Sequence, residues 1–449
     1  MGGLVYAGFA LILVLAVALQ WLKHRRREAA AIEATRKSGL HPAAGPRAQH
    51  PHIDIDWCIG CGSCVTACPE GDVLQVLGGK AALVNGHKCI GHGLCADACP
   101  TGAITIVMAS PSMTGDLPRL TPECESTVEN LFIAGELSGL ALIKNAVNQG
   151  RDAIDRIITR LPGLRSRRPV EAPAADVIVI GAGPAGLSAA LRAREKGLSY
   201  FCLEAEDFGG TVANYPRQKL VMTSPVELPV FGKFKRLEIS KEDLLETWKS
   251  AAAKAGLEVR TRERVESVTR DSAGRFVVKT GKGEYRGQAL VMAIGRRGTP
   301  RKLEIPGEHL PHVMYSLLDA EAYRNNRIVV IGGGDSAIEA AMGLAIQPGN
   351  TVAISYRRNE FTRLKDRNEK RLAECLRDGR VQTIMSSQPV EITRDAVVLK
   401  VGDEIRAVPA DYVWIFAGGT PPREFLERIG IGFGRQDLTE AASRESRAG

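Results

Sequence analysis

The 449-residue chain lacks a long tract of one charge. Its 59 lysines and arginines against 51 aspartates and glutamates leave a net charge of +8, and the basic residues fall in short clusters. That pattern gives no argument for nucleic acid, and no nucleic-acid partner is expected. Beyond Cys99 only Cys124, Cys202 and Cys375 remain, and no two of them form Cys-x-x-Cys, which disfavours a dithiol relay. An even spread of cysteines is also missing: seven of the ten lie between Cys58 and Cys99, a density that a disulfide framework does not produce. The 47 glycines and 23 prolines carry no collagen-like or disordered bias, and 44% hydrophobic residues suffice for packed cores. The length argues for two or three domains.

One long apolar run is present. Residues 3–22, GLVYAGFALILVLAVALQWL, hold only Gln20 as a strongly polar side chain, and as a helix would reach about 30 Å, a bilayer core. Lys23, His24, Arg25, Arg26 and Arg27 follow at once. The expectation is a single transmembrane helix over residues 1–24, in the cytoplasmic membrane, with the catalytic part in the cytoplasm. A cleaved signal peptide ending near Ala16-Val17-Ala18 fits less well, because no charge precedes the apolar run. Residues 25–50 read as a linker, a short helical extension and then a tether.

Cys58-Ile-Gly-Cys61-Gly-Ser-Cys64-Val-Thr-Ala-Cys68-Pro69 matches C-x2-C-x2-C-x3-C-P at every ligand. Zinc ribbons want paired C-x2-C units with a longer spacer, so iron–sulfur is the better reading. Cys89-Ile-Gly-His92-Gly-Leu-Cys95-Ala-Asp-Ala-Cys99-Pro100 repeats the frame with His92 in place of the second cysteine. In such pairs the fourth cysteine of each motif ligates the other cluster. One 4Fe-4S cluster would then take Cys58, Cys61, Cys64 and Cys99, and the second Cys68, Cys89 and Cys95, with His92 in the last position. Imidazole is a competent iron ligand; a three-iron cluster with His92 merely nearby is the alternative. Short strands are expected over 53–57 and 103–107. Residues 51–108 resemble a bacterial two-cluster ferredoxin throughout.

Asp176-Val-Ile-Val-Ile-Gly181-Ala-Gly183-Pro-Ala-Gly186 is an apolar strand, a Gly-x-Gly-x-x-Gly turn and a helix start. Glu204, at the end of the next strand, suits a ribose hydroxyl, so FAD is expected here. A second copy, Arg327-Ile-Val-Val-Ile-Gly332-Gly-Gly334-Asp-Ser336-Ala337, is followed by Thr351–Ser355 and then by Tyr356, Arg357 and Arg358, with Arg363, Lys365 and Arg367 beyond. Guanidinium groups at that strand end favour a 2′-phosphate, hence NADPH over NADH; a solvated basic face is the bland alternative.

The order of the first motif, Ala289–Gly295, the second motif and Tyr412–Thr420 resembles thioredoxin-reductase-like flavoproteins over roughly residues 174–436. Phe208-Gly-Gly210-Thr211 through Pro216, Met222–Pro225 and Ser355–Arg363 look most like the bacillithiol disulfide reductase type. The resemblance implies cofactor contacts at Gly210, Thr211 and Gly295. It also implies a last flavin-side strand ending Ala-Gly-Asp or Ala-Gly-Glu, and none follows Gly418. Such a strand stands upstream, Leu131-Phe-Ile-Ala-Gly135-Glu136, with a helix after it. A circular permutation is therefore expected, with Gly135 and Glu136 against the flavin and a helical N-terminus from about Leu140 at its pyrimidine edge.

The expected fold class is α/β: two Rossmann-like dinucleotide-binding domains, a small α+β ferredoxin module and one N-terminal transmembrane helix. The expected divisions are an anchor (1–24), linker (25–50), ferredoxin domain (51–108), permuted flavin segment (111–160), linker (161–174), FAD domain (175–300), NADPH domain (301–411), and a return to the FAD domain with a polar tail (412–449). The expected function is a membrane-anchored oxidoreductase passing electrons between NADPH, FAD and two clusters, to or from a redox protein partner, with no side chain acting as a nucleophile. A low-molecular-weight disulfide or thioredoxin-type reductase and a redox sensor stay open, as do the direction of flow and a homodimer.

Overall fold

The computed structural model describes residues 2–40, 49–108, 117–166 and 174–434, apart from 141, 218, 223–225, 235–237, 297, 362, 363, 365 and 421. Arg363, Lys365 and the polar tail from Arg435 thus lie outside the described residues. The chain divides into two compact units, Met1–Ala109 and Ser110–Gly449.

The first unit opens with the helix Gly2–Leu40, which continues past residue 24 into the segment expected to be a linker. Its second half packs on the cysteine-rich module: Ala31 is buried, and Glu28 Oε1 accepts the Gly78 N–H at 3.1 Å. Among the described residues no helix is long and apolar enough to cross a membrane. The transmembrane helix over 1–24, the membrane partner and the cytoplasmic-membrane location are corrected accordingly. Lys23, Arg25, Arg26 and Glu28 continue the same helix.

In the module, Gln49–Ile53 pairs antiparallel with Ile104–Met108, and Leu74–Leu77 with Lys80–Leu83. The first strand stops at Ile53 rather than running to Trp57, because the Asp54 carboxylate accepts the N–H groups of Asp56 (2.9 Å) and Trp57 (3.4 Å) and turns the chain. Each motif then enters a short helix, Ser63–Ala67 or Leu94–Asp97, through a left-handed glycine, Gly62 or Gly93. A Cβ on Gly91 would stand 2.3 Å from Cβ of Gln49, so the second motif meets the first strand only as glycine.

The second unit holds two larger sheets, the first mixed and the second parallel. In the first, Gly283–Met292 lies beside Ala175–Ile180, which lies beside Tyr200–Leu203. Ala175–Ile180 is buried at every position, as a strand covered on both faces must be. The upstream strand Leu131–Ile133 joins this sheet in parallel, with Leu131 opposite Leu290 and Ile133 opposite Met292. The helix Ile143–Ser166 then crosses Pro184–Glu195: Ser188 Oγ donates to the Val147 carbonyl (2.6 Å) and Arg192 grips Asp155 (2.7 Å). That helix extends beyond residue 160, with Pro162 inside it.

The second sheet runs Val313–Met314, Tyr412–Ile415, Arg327–Ile331, Thr351–Ser355, Val381–Ile384, all parallel. Tyr412–Ile415, expected to open the return to the FAD domain, therefore pairs within the sheet of the second glycine turn, and the return to the first sheet begins later. It passes through Gly419–Thr420, paired with Thr299–Pro300, and ends with Leu426 and Ile431 buried among Leu131, Ile178 and Met292. Phe433–Gly434 pairs antiparallel with Leu117–Pro118. Thr127 reinforces this junction, its Oγ1 accepting the Gly432 N–H at 2.7 Å.

Candidate functional site

The fold sorts the eight candidate cluster ligands into two groups. Cys68, Cys89, His92 and Cys95 line one cavity. Cys64 feels the charges of Cys58 and Cys61, and Cys61 feels that of Cys99. The last cysteine of each motif thus keeps company with the other motif, the partition that crossed ligation requires. Among the described residues no three His, Cys, Asp or Glu converge on a single ion.

Burial dominates the second group. It pushes the Cys95 thiol up to about 12, helped by the charges of Cys89, Cys68 and Cys64, and the Cys89 thiol up to about 11, helped by Cys68 and Glu70. Thiolates so placed are stable only opposite a cation, which suits an iron centre. His92 is 7% exposed. In the first group Cys61 is exposed, and the Ser63 hydroxyl at 3.4 Å holds it below its ordinary value. Cys58 Sγ accepts the Ala81 N–H at 3.3 Å, while Lys80 Nζ donates to the carbonyls of Ile55 (2.8 Å) and Cys58 (2.7 Å). Sequence reasoning missed Glu70, which lines the same cavity as His92. Its signal was its place two residues after Cys68.

At the first dinucleotide turn, a Cβ on Gly186 would stand 1.8 Å from the Gly181 carbonyl oxygen, so helix and strand meet only through glycine. A Cβ on Gly183 would meet nothing within 4 Å, leaving room before the helix that starts at Pro184. Gly210 opens the short turn Gly210–Val212 beside Gly183, with Thr211 exposed. Glu204 is buried; its Oε2 accepts the Ala182 N–H at 2.6 Å and its Oε1 the Glu206 N–H at 2.9 Å. A carboxylate has about four acceptor sites, so lone pairs remain for a ribose hydroxyl. Gly295 has φ 67° in the turn after Gly283–Met292.

Gly135 approaches this turn from upstream. A Cβ on it would lie 3.2 Å from Cβ of Ala185, and its N–H donates to Gln149 Oε1 at 2.8 Å. Glu136 is exposed beside it. Four polar residues on the first turns of the following helix are buried: Lys144, Asn145, Asn148 and Gln149. Both amide atoms of Asn148, and Nε2 of Gln149, lack a hydrogen-bond partner among the described residues. Buried polar atoms are costly unless paired, so Asn148 and Gln149 fit a polar ligand such as FAD. The stretch that carries them was expected on the flavin side, but their burial was not foreseen.

At the second turn Gly334 caps the helix Asp335–Ala345, and a Cβ on it would meet nothing within 4 Å. Ser336 lies in the first turn, half-buried. A Cβ on Gly333 would stand 2.3 Å from the Tyr356 ring, so the ring lies over the Gly332–Gly334 loop. Arg357, exposed, and Arg358, half-buried, follow it at the strand end.

This pairing of a doubled dinucleotide fold with a cysteine-rich module defines a class. The family model described as pyridine nucleotide-disulphide oxidoreductase matches residues 178–446, and the chain belongs to that family. The model described as 4Fe-4S dicluster domain matches residues 50–100. The protein is an FAD-dependent NAD(P)H oxidoreductase carrying a 4Fe-4S ferredoxin domain. Among particular relatives, it is 33% identical over 280 residues to a ferredoxin--NADP reductase of Ignicoccus hospitalis, covering 60% of this chain and 86% of that one. It is 27% identical over 260 residues to the bacilliredoxin reductase Bdr of Bacillus subtilis, covering 57% and 80%. Among solved structures, the bacillithiol disulfide reductase Bdr of Staphylococcus aureus superposes with a TM-score of 0.53 at 27% identity, over 58% of this chain and 81% of that one.

Proposed function

We propose that the chain passes electrons between NADPH and a redox protein partner by way of FAD and two iron–sulfur clusters. The observation that carries this reading is that Cys68 of the first cysteine motif shares a cavity with Cys89, His92 and Cys95 of the second, on the same chain as two dinucleotide turns. When bound, FAD converts the electron pair of NADPH into the single electrons that clusters carry. Gly181, Gly183 and Gly186 shape the pyrophosphate cradle, Glu204 takes the ribose, and Gly210, Thr211 and Gly295 border the flavin. Gly332, Gly334 and Ser336 receive the nicotinamide nucleotide, with Arg357 and Arg358 on its 2′-phosphate. Cys58, Cys61, Cys64 and Cys99 hold one cluster; Cys68, Cys89, Cys95 and His92 hold the other.

The flavin domain is read as circularly permuted, with Gly135 and Glu136 supplying its last contact. Three observations support this. Leu131–Ile133 pairs in parallel with Gly283–Met292. Phe433–Gly434 meets Leu117–Pro118, where an unpermuted chain would continue. The two curated relatives leave 14% and 20% of their own length unmatched (100 − 86 and 100 − 80), as they would if one of their segments stood elsewhere in this chain.

Anaerobic NADPH titration followed by flavin absorbance and EPR tests the reading: cluster signals that answer to pyridine nucleotide are expected, and flavin turnover with inert clusters would reject it. A direct disulfide route has one observation in its favour, Cys124 at the edge of a cavity of about 390 Å³. Disulfide reduction lost in Cys124→Ser and kept in Cys61→Ser would favour that route instead.

A further inference from the structure

Three large apolar side chains stand in solvent around the first cysteine: Ile55 is 62% exposed, Trp57 67% and Ile59 66%. They flank Cys58, and the exposed Cys61 lies two residues beyond Ile59. The backbone that carries them is tied down on all sides. Asp54 N–H donates to the Ala103 carbonyl (2.8 Å), Cys58 N–H to the Asp54 carbonyl (3.0 Å), and Lys80 Nζ to the carbonyls of Ile55 and Cys58. Exposed tryptophan on a fixed loop is expensive to leave in water and cheap to bury against a partner, because little freedom is lost on binding. Asp54 and Asp56, both exposed, rim the patch. The whole segment 49–108 carries five acids (Asp54, Asp56, Glu70, Asp72, Asp97) against Lys80 and Lys88, within a chain of net charge +8.

We propose that Ile55, Trp57 and Ile59 form the docking surface through which the first cluster exchanges electrons with a separate redox protein, one whose own apolar contact patch is rimmed by lysine or arginine. This deepens the proposed function and rests on Cys58, Cys61, Cys64 and Cys99 holding a cluster. The flavin side needs no such patch, since one chain already holds it at high effective concentration. A partner free in solution must supply its own affinity. A rim of opposite charge steers its approach, and a small apolar centre gives the brief complexes typical of electron transfer, with less than about 1,200 Å² buried.

The full chain, its clusters reduced with dithionite and confirmed by bleaching, is mixed in a stopped-flow instrument with cytochrome c, a basic haem protein, as the probe. Wild type is compared with Trp57→Ala, Ile59→Ser and, as a control on an exposed isoleucine elsewhere, Ile405→Ser. The second-order rate constant is expected to fall about tenfold in the first two and to hold in the control. Rising salt should slow wild type, and Asp56→Lys should slow the reaction and flatten that salt dependence, a readout that survives if Trp57→Ala fails to fold. Unchanged rate constants in Trp57→Ala, Ile59→Ser and Asp56→Lys overturn the proposal. So does a slower NADPH-to-cluster step with an unchanged cytochrome c step, which would assign the patch to the chain's own flavoprotein part. Clusters that dithionite bleaches but NADPH leaves oxidised would count against the proposed NADPH route and not against the docking surface.

Discussion

Gly150 of the upstream helix lies so close to Ala185 of the first dinucleotide helix that a Cβ on it would stand 2.0 Å from the Ala185 carbonyl oxygen. The contact is backbone to backbone, so no side-chain adjustment relieves it. Gly150→Val should destabilise the second unit by about 2 kcal/mol and lower FAD occupancy. Thermal unfolding and the flavin-to-protein absorbance ratio measure both. Normal values would mean that the upstream helix can leave the flavin domain without consequence.

The second cluster should respond to the side chain at position 92. His92→Ala should give the oxidised-state EPR signal of a three-iron cluster, while His92→Cys should keep four irons and lower the midpoint potential, since an anionic ligand replaces a neutral one. Iron analysis and redox-poised EPR check this. The same second-cluster signal in wild type and both variants would remove His92 from the ligand set.

Glu125 joins the upstream turn to its helix: Arg160 Nη1 lies 2.5 Å from Oε1, and the Asn130 N–H donates to Oε1 at 2.7 Å. Burial would raise this carboxyl, but Arg160 and the Asn130 N–H outweigh it and hold it below its ordinary value. A depressed folded-state value contributes stability above the unfolded carboxyl range near pH 4.3, lost as pH falls through the folded value. Glu125→Gln should therefore cost stability at pH 7 and show a flatter decline below pH 5. Denaturant titrations at both pH values decide it; parallel pH profiles for wild type and variant would contradict the pairing.

Coenzyme choice should rest on the strand end after Ser355. Arg357→Ala with Arg358→Ala should raise KM for NADPH about tenfold or more and leave KM for NADH within about twofold, because only the former carries the 2′-phosphate. Steady-state kinetics with both coenzymes separate this from a general loss of binding, which would raise both values together.

Much of this architecture was legible because its signals are local. The cysteine motifs and both glycine turns are set by spacing within a dozen residues, and Leu131–Ile133 could be matched to a strand of the first sheet despite its place upstream. What failed was longer-range. The apolar run near the N-terminus suggested a membrane span, yet no described helix is apolar for long enough, and this one continues into charge. The strand expected through Trp57 ended at Ile53 because one side chain, Asp54, outcompeted the sheet for two N–H groups. Tyr412–Ile415 read as a return to the flavin domain, but pairing with Arg327–Ile331 is a tertiary choice that composition does not record. Glu70, Asn148 and Gln149 came into view only once folding had placed them against a cavity or left them buried.

Electron exchange between pyridine nucleotide and clusters within one chain is the core of the proposed function. Its most direct test is a pair of anaerobic titrations followed by EPR, the oxidised protein with NADPH and the dithionite-reduced protein with NADP⁺. Cluster signals that change in step with the pyridine nucleotide in at least one direction are predicted. Signals that stay fixed in both, while the flavin is reduced and reoxidised, would contradict it.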